Sequence, residues 1–295
     1  MGGTGFIGYH ISKHFLKKKW NVTSISTHKP KKIRFLKKVK YIICDISKKK
    51  DLDKKIKKKF QYVINAGGYV DHSDTKKTYL SHYIGVKNLS EFFKKKNLKL
   101  FIQLGSGGEY GKLKSPHKEY LVKILLDNYY RAKLLASFYL LKLFKKYNFP
   151  VTILRLYQVY GPRQDINRII PISILSCLRN KKFDCSSGVQ KRDFIFIDDV
   201  ISAIDKVVKK QIVGNIFNIG SGNAARLKNV IIKITNLVGK GNPQFGAINL
   251  RKGEQLEMFP SIKKAKKMIN WKPKINLAKG LKKTIKFYST NYKYF

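Results

Sequence analysis

Tyr129 and Lys133 stand four residues apart, a spacing that puts both on one face of a helix. A lysine ammonium beside a phenol favours the phenolate and lowers the tyrosine pKa towards the working range. Such a tyrosine takes a proton from a sugar hydroxyl, or gives one to a ketone, while hydride moves the other way. Ser106, just beyond the apolar run Leu100 to Leu104, is placed to hydrogen-bond the same oxygen. Taken alone the Tyr-x-x-x-Lys pair reads as a solvated helix face, because tyrosine and lysine are both common here. The order of the pieces around it gives the pair its chemical reading.

The second piece is the opening Met1-Gly2-Gly3-Thr4-Gly5-Phe6-Ile7-Gly8, with glycines at 2, 5 and 8. A glycine turn that opens a helix lets backbone N–H groups approach a phosphate, and the helix N-terminus adds unpaired donors and positive potential. The backbone of Gly2, Gly5, Phe6, Ile7 and Gly8 is therefore a candidate dinucleotide cradle. The next strand ends in Ser24-Ile25-Ser26-Thr27-His28-Lys29, where an acid would bind the ribose hydroxyl of NAD and basic groups would suit NADP. With no acid present the stretch leans to NADP, so the cofactor is expected to be NAD or NADP. Asp45, after the following strand, reads equally as an acceptor for the adenine amino group and as a plain turn residue.

Elements that position these residues alternate between strand and helix. Strands are expected near Trp20 to Ile25, Tyr41 to Cys44, Tyr62 to Asn65, Leu100 to Leu104 and Val151 to Leu156. Helices are expected near Asp51 to Lys59, Thr75 to Lys96 and Glu119 to Tyr147. That alternation predicts an α/β protein with a doubly wound parallel sheet. Beyond Pro162 the pattern loosens, with helices near Asn167 to Leu178, Asp198 to Lys209, Leu227 to Val238, Ser261 to Ile269 and Leu277 to Tyr288. Short strands fall near Asp193 to Ile197 and Ile216 to Ile219. The expected division is a cofactor domain over 1–156, with returning segments near 193–220, and a smaller substrate lobe from 157–192 and 221–295.

The chain has 295 residues, of which 43% are hydrophobic, enough for a sizeable core. Its 3 cysteines, Cys44, Cys177 and Cys185, show no C-x-x-C spacing, which fits a reducing compartment without disulfides or a zinc site. No signal pattern and no apolar run of about 18 residues is present, so a soluble, cytoplasmic protein without membrane partners is expected. The formal charge of +46 is spread over runs such as Lys17 to Lys19, Lys57 to Lys59 and Lys94 to Lys96. Such spread reads as solvated faces rather than a specific nucleic-acid surface, although polyanions should adhere at low salt.

Taken together, the pieces resemble the extended short-chain dehydrogenase/reductase family, in its NAD(P)-dependent nucleotide-sugar epimerase/dehydratase group. The resemblance runs through Val63-Ile64-Asn65-Ala66-Gly67-Gly68, Ser106-x-x-x-Tyr110-Gly111, Tyr129-x-x-x-Lys133, Leu154 to Pro162, Arg192 to Val200 and Trp271-Lys272-Pro273 with Gly280-Leu281. It implies a Rossmann domain and a smaller C-terminal substrate lobe. It makes Ser106, Tyr129 and Lys133 catalytic, and it lays Ala66, Gly67, Tyr129, Lys133 and Tyr157 along the cofactor. It puts Gln158, Arg192 and Arg251 at the nucleotide sugar; bidentate arginines suit a diphosphate. Gln158 and His82 stand where the family often has Asn. A salt bridge from Arg192 to Asp193 or Asp198 is the plain alternative.

The resemblance also implies a homodimer through the helices over Thr75 to Lys96 and Glu119 to Tyr147. Dehydratases of the group carry an Asp–Glu pair after the catalytic Ser or Thr; here those positions are Gly107 and Gly108, which do no acid–base work. Hydride transfer at C4 of a nucleotide-linked sugar, by a 4-epimerase or a 4-ketoreductase, is left open between the two. A noncatalytic member that binds NADP(H) or RNA is the alternative from another class. The expected strand before the glycine turn is missing from the sequence, and the chain as written is expected to fold less well than one extended upstream.

Overall fold

The computed structural model describes residues 1–69, 74–121, 127–250 and 253–295. Gly5 caps helix α1 (Phe6–Lys17), which buries Phe6, Ile11 and Phe15. Lys19 turns left-handed at φ 62°, and Trp20 folds back on Phe15, so strand β1 starts only at Thr23 (Thr23–Ser26) rather than at Trp20. Then follow β2 (Lys40–Ile43), α2 (Lys49–Lys55), shorter than the expected Asp51 to Lys59, and β3 (Tyr62–Asn65). Helix α3 (Thr75–Tyr79) passes through a π turn, Leu80–Ile84, into α4 (Gly85–Lys94). Strand β4 (Leu100–Ser106) ends in a single 3₁₀ turn, Gly107–Tyr110. Helix α5 begins at Asn128 (Asn128–Tyr147), where Asp127 caps the Tyr130 N–H, and not at Glu119. Glu119 instead accepts the Asn218 N–H at 3.0 Å.

After α5 come β5 (Val151–Leu156), β6 (Gln158–Tyr160), α6 (Ile169–Leu178), β7 (Lys182–Cys185) and β8 (Lys191–Phe196). Helix α7 (Ile197–Lys210) and β9 (Asn215–Ile219) return the chain to the central sheet. The remainder is β10 (Ala224–Arg226), α8 (Leu227–Val238), β11 (Asn242–Phe245), β12 (Glu257–Met258), α9 (Lys263–Ile269) and α10 (Leu277–Thr290).

Strands β3, β4, β5 and β9 form a parallel sheet in that order. Both faces are covered. Leu100, Ile102, Leu104 and Leu154 face the apolar cluster with α1 and α7, whereas Phe101, Val151 and Ile153 face that with α4 and α5. Period-two alternation with both sides buried is the signature of a doubly wound sheet, as expected. The later strands make two small sheets: β10, β8 and β12 with β6 beside β8, and β7 with β11. Trp271 seals the junction between α9 and α7, its indole N–H donating to the Asp199 carbonyl at 3.1 Å. Cys44, Cys177 and Cys185 are all buried. Among the described residues no helix is long and apolar enough to cross a membrane, and no metal-ligand cluster occurs.

Strands β1 and β2 pair with each other but not with β3. Met1 and Gly2 lie between β1 and β3: the Gly2 N–H donates to Ile25 O at 2.8 Å, the Met1 nitrogen to Ile64 O at 2.6 Å, and the Ala66 N–H to Met1 O at 3.1 Å. Behind Met1 a cavity of about 110 Å³ runs between these strands, lined by Phe15, Trp20, Val22, Tyr62 and Phe93. Burial lowers the Met1 amine to about 5. In a chain that starts at Met1, the unfolded state therefore binds the extra proton between pH 5 and 8, and stability rises with pH across that window. The gain is at most about 4 kcal/mol. Denaturant unfolding at pH 5.5 and 8 checks this, and N-terminal acetylation should flatten the difference.

Candidate active site

The glycine turn is a tight cradle. Gly2 is left-handed at φ 70°, and a Cβ there would come within 2.7 Å of Gly67 Cα. A Cβ on Gly8 would overlap the Gly2 carbonyl. No side chain caps α1, so its first-turn N–H groups face out of the turn, as an anion site requires. Gly67 donates to Asn65 Oδ1 at 3.1 Å, which fixes the Ala66–Gly67 backbone beside Gly2. These residues fit a dinucleotide diphosphate. Asp45 uses Oδ1 to accept both the N–H and the hydroxyl of Ser47, at 2.9 and 2.7 Å, so it is at least a turn residue.

Ser106 and Lys133 meet at the carboxyl end of β4, and the Tyr129 ring lies next to Lys133. Ser106 is the last residue of β4 and is half-buried; its hydroxyl oxygen accepts the Gly108 N–H at 3.1 Å. Lys133 Nζ donates to the Leu104 carbonyl at 3.3 Å and lies 5.5 Å from the Tyr129 ring centre. The His82 ring meets Tyr129 edge-on at 4.8 Å and bonds the Tyr69 carbonyl at 2.8 Å. His82 sits in the π turn, a distortion often found at functional sites. The imidazole thus ties the loop after β3 to the helix that carries Tyr129.

Gly107 and Gly108 are closed to side chains. A Cβ on Gly107 would stand 2.7 Å from Tyr157 Cε1, and one on Gly108 would overlap the Tyr130 ring. An Asp–Glu pair has no room here unless both tyrosines move. Tyr157 is buried, and its hydroxyl bonds His117 Nδ1 at 3.0 Å. Burial raises the Tyr157 phenol far above its ordinary value and holds it neutral.

Gln158 is exposed on β6, in register with Phe194. Arg192 on β8 pairs with Glu254 at 2.8 Å, not with Asp193 or Asp198. Asp193 is taken up by the N–H groups of Ser221 and Gly222 at 2.6 and 2.7 Å, and Asp198 pairs with Lys283. Arg251 lies outside the described residues. Glu109, Ser137, His117 and Glu254 were not singled out from sequence. A signal existed for Glu109: an acid set between Gly108 and Tyr110, in a chain with 17 acids against 63 bases, is placed where it pairs.

Residues 1–220 match the NAD dependent epimerase/dehydratase family. The chain belongs to that family. Among relatives, the dTDP-D-glucose 4,6-dehydratase of Homo sapiens is 30% identical over 201 residues, 65% of this chain and 57% of that protein. The chain thus spans little more than half the length of that relative. The UDP-glucuronate 4-epimerase of Thermodesulfobacterium geofontis is 27% identical over 215 residues, covering 72% and 66% of the two chains. Among solved structures, the UDP-glucuronic acid 4-epimerase of Bacillus cereus, in complex with UDP-glucuronic acid and NAD, superposes with a TM-score of 0.88 at 25% identity. That superposition covers 99% of this chain and 98% of the other.

Proposed function

We propose that the chain is an NAD(P)-dependent enzyme that moves hydride at C4 of a nucleotide-diphosphate sugar, most simply a 4-epimerase. The observation that carries this is Lys133 held between the Leu104 carbonyl, near the carboxyl end of β4, and the Tyr129 ring. The bound nicotinamide supplies the chemistry of accepting hydride from C4 and returning it. The chain's part is the proton. Tyr129 takes it from the C4 hydroxyl as the C–H bond breaks, and returns it when the ketone is reduced. Lys133 places its ammonium beside the phenol ring, and Ser106 donates to the same substrate oxygen. Gly2, Gly5, Phe6, Ile7 and Gly8 hold the diphosphate of the cofactor, Ala66, Gly67 and Tyr157 lie along it, and Asp45 serves the adenine. In this reading residues 1–156 with the returning segments are the cofactor domain, and the remainder is the substrate lobe.

Dehydration is disfavoured because the closed Gly107–Gly108 backbone offers no acid–base side chain. For the cofactor, the family description and the NAD held by the Bacillus cereus enzyme weigh towards NAD. The basic end of β1 weighs towards NADP. The deciding experiment is to denature the purified protein and identify the released nucleotide by mass. Tightly held NAD, followed by interconversion of a UDP-hexose pair, supports the epimerase. An empty protein that prefers NADPH and reduces a 4-keto nucleotide sugar makes it a 4-ketoreductase. No turnover on either, with RNA binding that survives physiological salt, overturns the enzymatic reading. The homodimer is proposed through α3, α4 and α5, where Tyr79, Phe138 and Tyr147 are exposed; light scattering at high salt tests it.

Arg192 and Gln158 are assigned to the nucleotide sugar. Arg192→Ala is expected to raise KM for the nucleotide sugar about 10- to 100-fold with kcat little changed, because a phosphate contact is made equally before and during the reaction. Steady-state kinetics checks it.

A further inference from the structure

One buried carboxylate joins three elements of the proposed site: the turn after β4, α5 and β5. Glu109 is fully buried in the turn after β4. Its Oε1 accepts the Ser106 N–H at 2.7 Å, while Ser106 Oγ accepts the Gly108 N–H, a reciprocal capping box around the proposed catalytic serine. Its Oε2 accepts the Ser137 hydroxyl at 2.8 Å and the Arg155 Nε–H at 2.9 Å. Ser137 is one turn beyond Lys133 on α5, so Tyr129, Lys133 and Ser137 follow one stripe of that helix. Arg155 is the residue of β5 two before Tyr157, and its guanidinium lies 4.5 Å from the Tyr110 ring centre. The Tyr110 hydroxyl in turn donates to Asn218 Oδ1 at 2.7 Å.

We infer that Glu109 is a positioning residue. It locks the Ser106 turn, the Tyr129–Lys133 helix and the β5 strand into one register through its two oxygens. The inference deepens the proposed function and rests on it for the roles of Ser106, Tyr129 and Lys133. The carboxylate touches none of the reacting atoms. It acts by fixing where the serine and the tyrosine–lysine pair stand relative to each other, and misplacement of about 1 Å can cost about 100-fold in rate. A packing contact would serve the fold equally well with an apolar pair at these positions. The fork of one carboxylate onto a serine N–H, a helix hydroxyl and a strand arginine is specific to register.

The test uses Glu109→Met combined with Arg155→Met, which removes both buried charges and leaves neither orphaned. Ser137→Ala is the second variant; it cuts only the tie to α5 and leaves the ion pair. If the parent turns over a nucleotide sugar, the folded double variant should lose at least tenfold in kcat with KM moved less than threefold. Ser137→Ala should lose about threefold to tenfold. Restoring the carboxylate and arginine as Glu109→Asp with native Arg155 should recover part of the loss. A folded double variant with kcat within twofold of the parent overturns the inference, as does an unchanged Ser137→Ala if the double variant fails to fold. If the parent has no turnover, the functional reading fails separately. Glu109 is then judged by ¹³Cζ-tyrosine NMR, with Tyr129 assigned through Tyr129→Phe. A displaced Tyr129 titration in the variants supports positioning, and an unchanged one overturns it.

Discussion

Tyr129→Phe is expected to lower kcat about 10²- to 10⁴-fold, the range that loss of a positioned acid–base group produces. The substitution removes one oxygen and keeps the ring that meets His82 at 4.8 Å and Tyr130 at 5.2 Å. Packing therefore survives, and neither cofactor retention nor the thermal midpoint should move appreciably. Lys133→Met should fall in the same range, because it removes the cation beside the phenol and also the contact to the Leu104 carbonyl. Ser106→Ala should cost less, since it withdraws one hydrogen bond and moves no proton. The measurement is kcat and KM for each variant, with cofactor occupancy read by absorbance. A Tyr129→Phe enzyme within tenfold of the parent would remove the tyrosine from the mechanism.

The second large effect concerns the gap beside Met1. The Lys40 N–H donates to Val22 O and the Cys44 N–H to Ser26 O, so these residues of the β1 segment face β2. By alternation Thr23 and Ile25 present their N–H and C=O groups to the other side. Across the gap, Gln61 O accepts from β4, so Tyr62 and Ile64 face Met1. The bonds Met1 N to Ile64 O and Ala66 N to Met1 O are the parallel ladder pattern. Four or five β-branched residues fused ahead of Met1 can therefore pair with both strands and fill the cavity. Burying each side chain gains about 1.5–3 kcal/mol, and ordering each residue costs about 1–2 kcal/mol of backbone entropy. Ladder bonds add about 0.5–1.5 kcal/mol each. A net gain is expected, read as a rise of about 5–15 °C in Tm. A Gly/Ser extension of equal length is the control, and equal midpoints for the two fusions would sink the idea.

The alternation of the first half was legible where a strand is buried on both faces, as β4 and β5 are, and where a helix shows an apolar stripe, as α4 does. The expected ranges for β3, β5 and α8 match the observed ones residue for residue. The start of α5 was not legible, because Glu119 is held by Asn218, a partner 99 residues away that no local pattern reveals. The same holds for the site. Glycine spacing and Tyr-x-x-x-Lys announce themselves locally, whereas Glu109–Arg155 and Arg192–Glu254 join residues 46 and 62 apart. Local sequence offered Asp193 as the partner of Arg192. The backbone won it instead, because the N–H groups of Ser221 and Gly222 converge on its carboxylate. His117 carried no signal beyond following Pro116; only the fold brings it to Tyr157.

The buried thiols turn the chain into its own recorder of opening. Cys44 follows β2 in the apolar cluster with α4 and α5, whereas Cys177 and Cys185 lie in α6 and β7, in the cluster with α1 and α7. Burial pushes the thiols of Cys44 and Cys185 up to about 11, so neither reacts while its region stays closed. The rate at which each is alkylated then counts excursions of its own half, residue by residue, in the absence of denaturant. Cys44 should be labelled first, since β1 and β2 lack strand partners on the β3 side. Occupation of that ladder should slow Cys44 towards the pace of the other two.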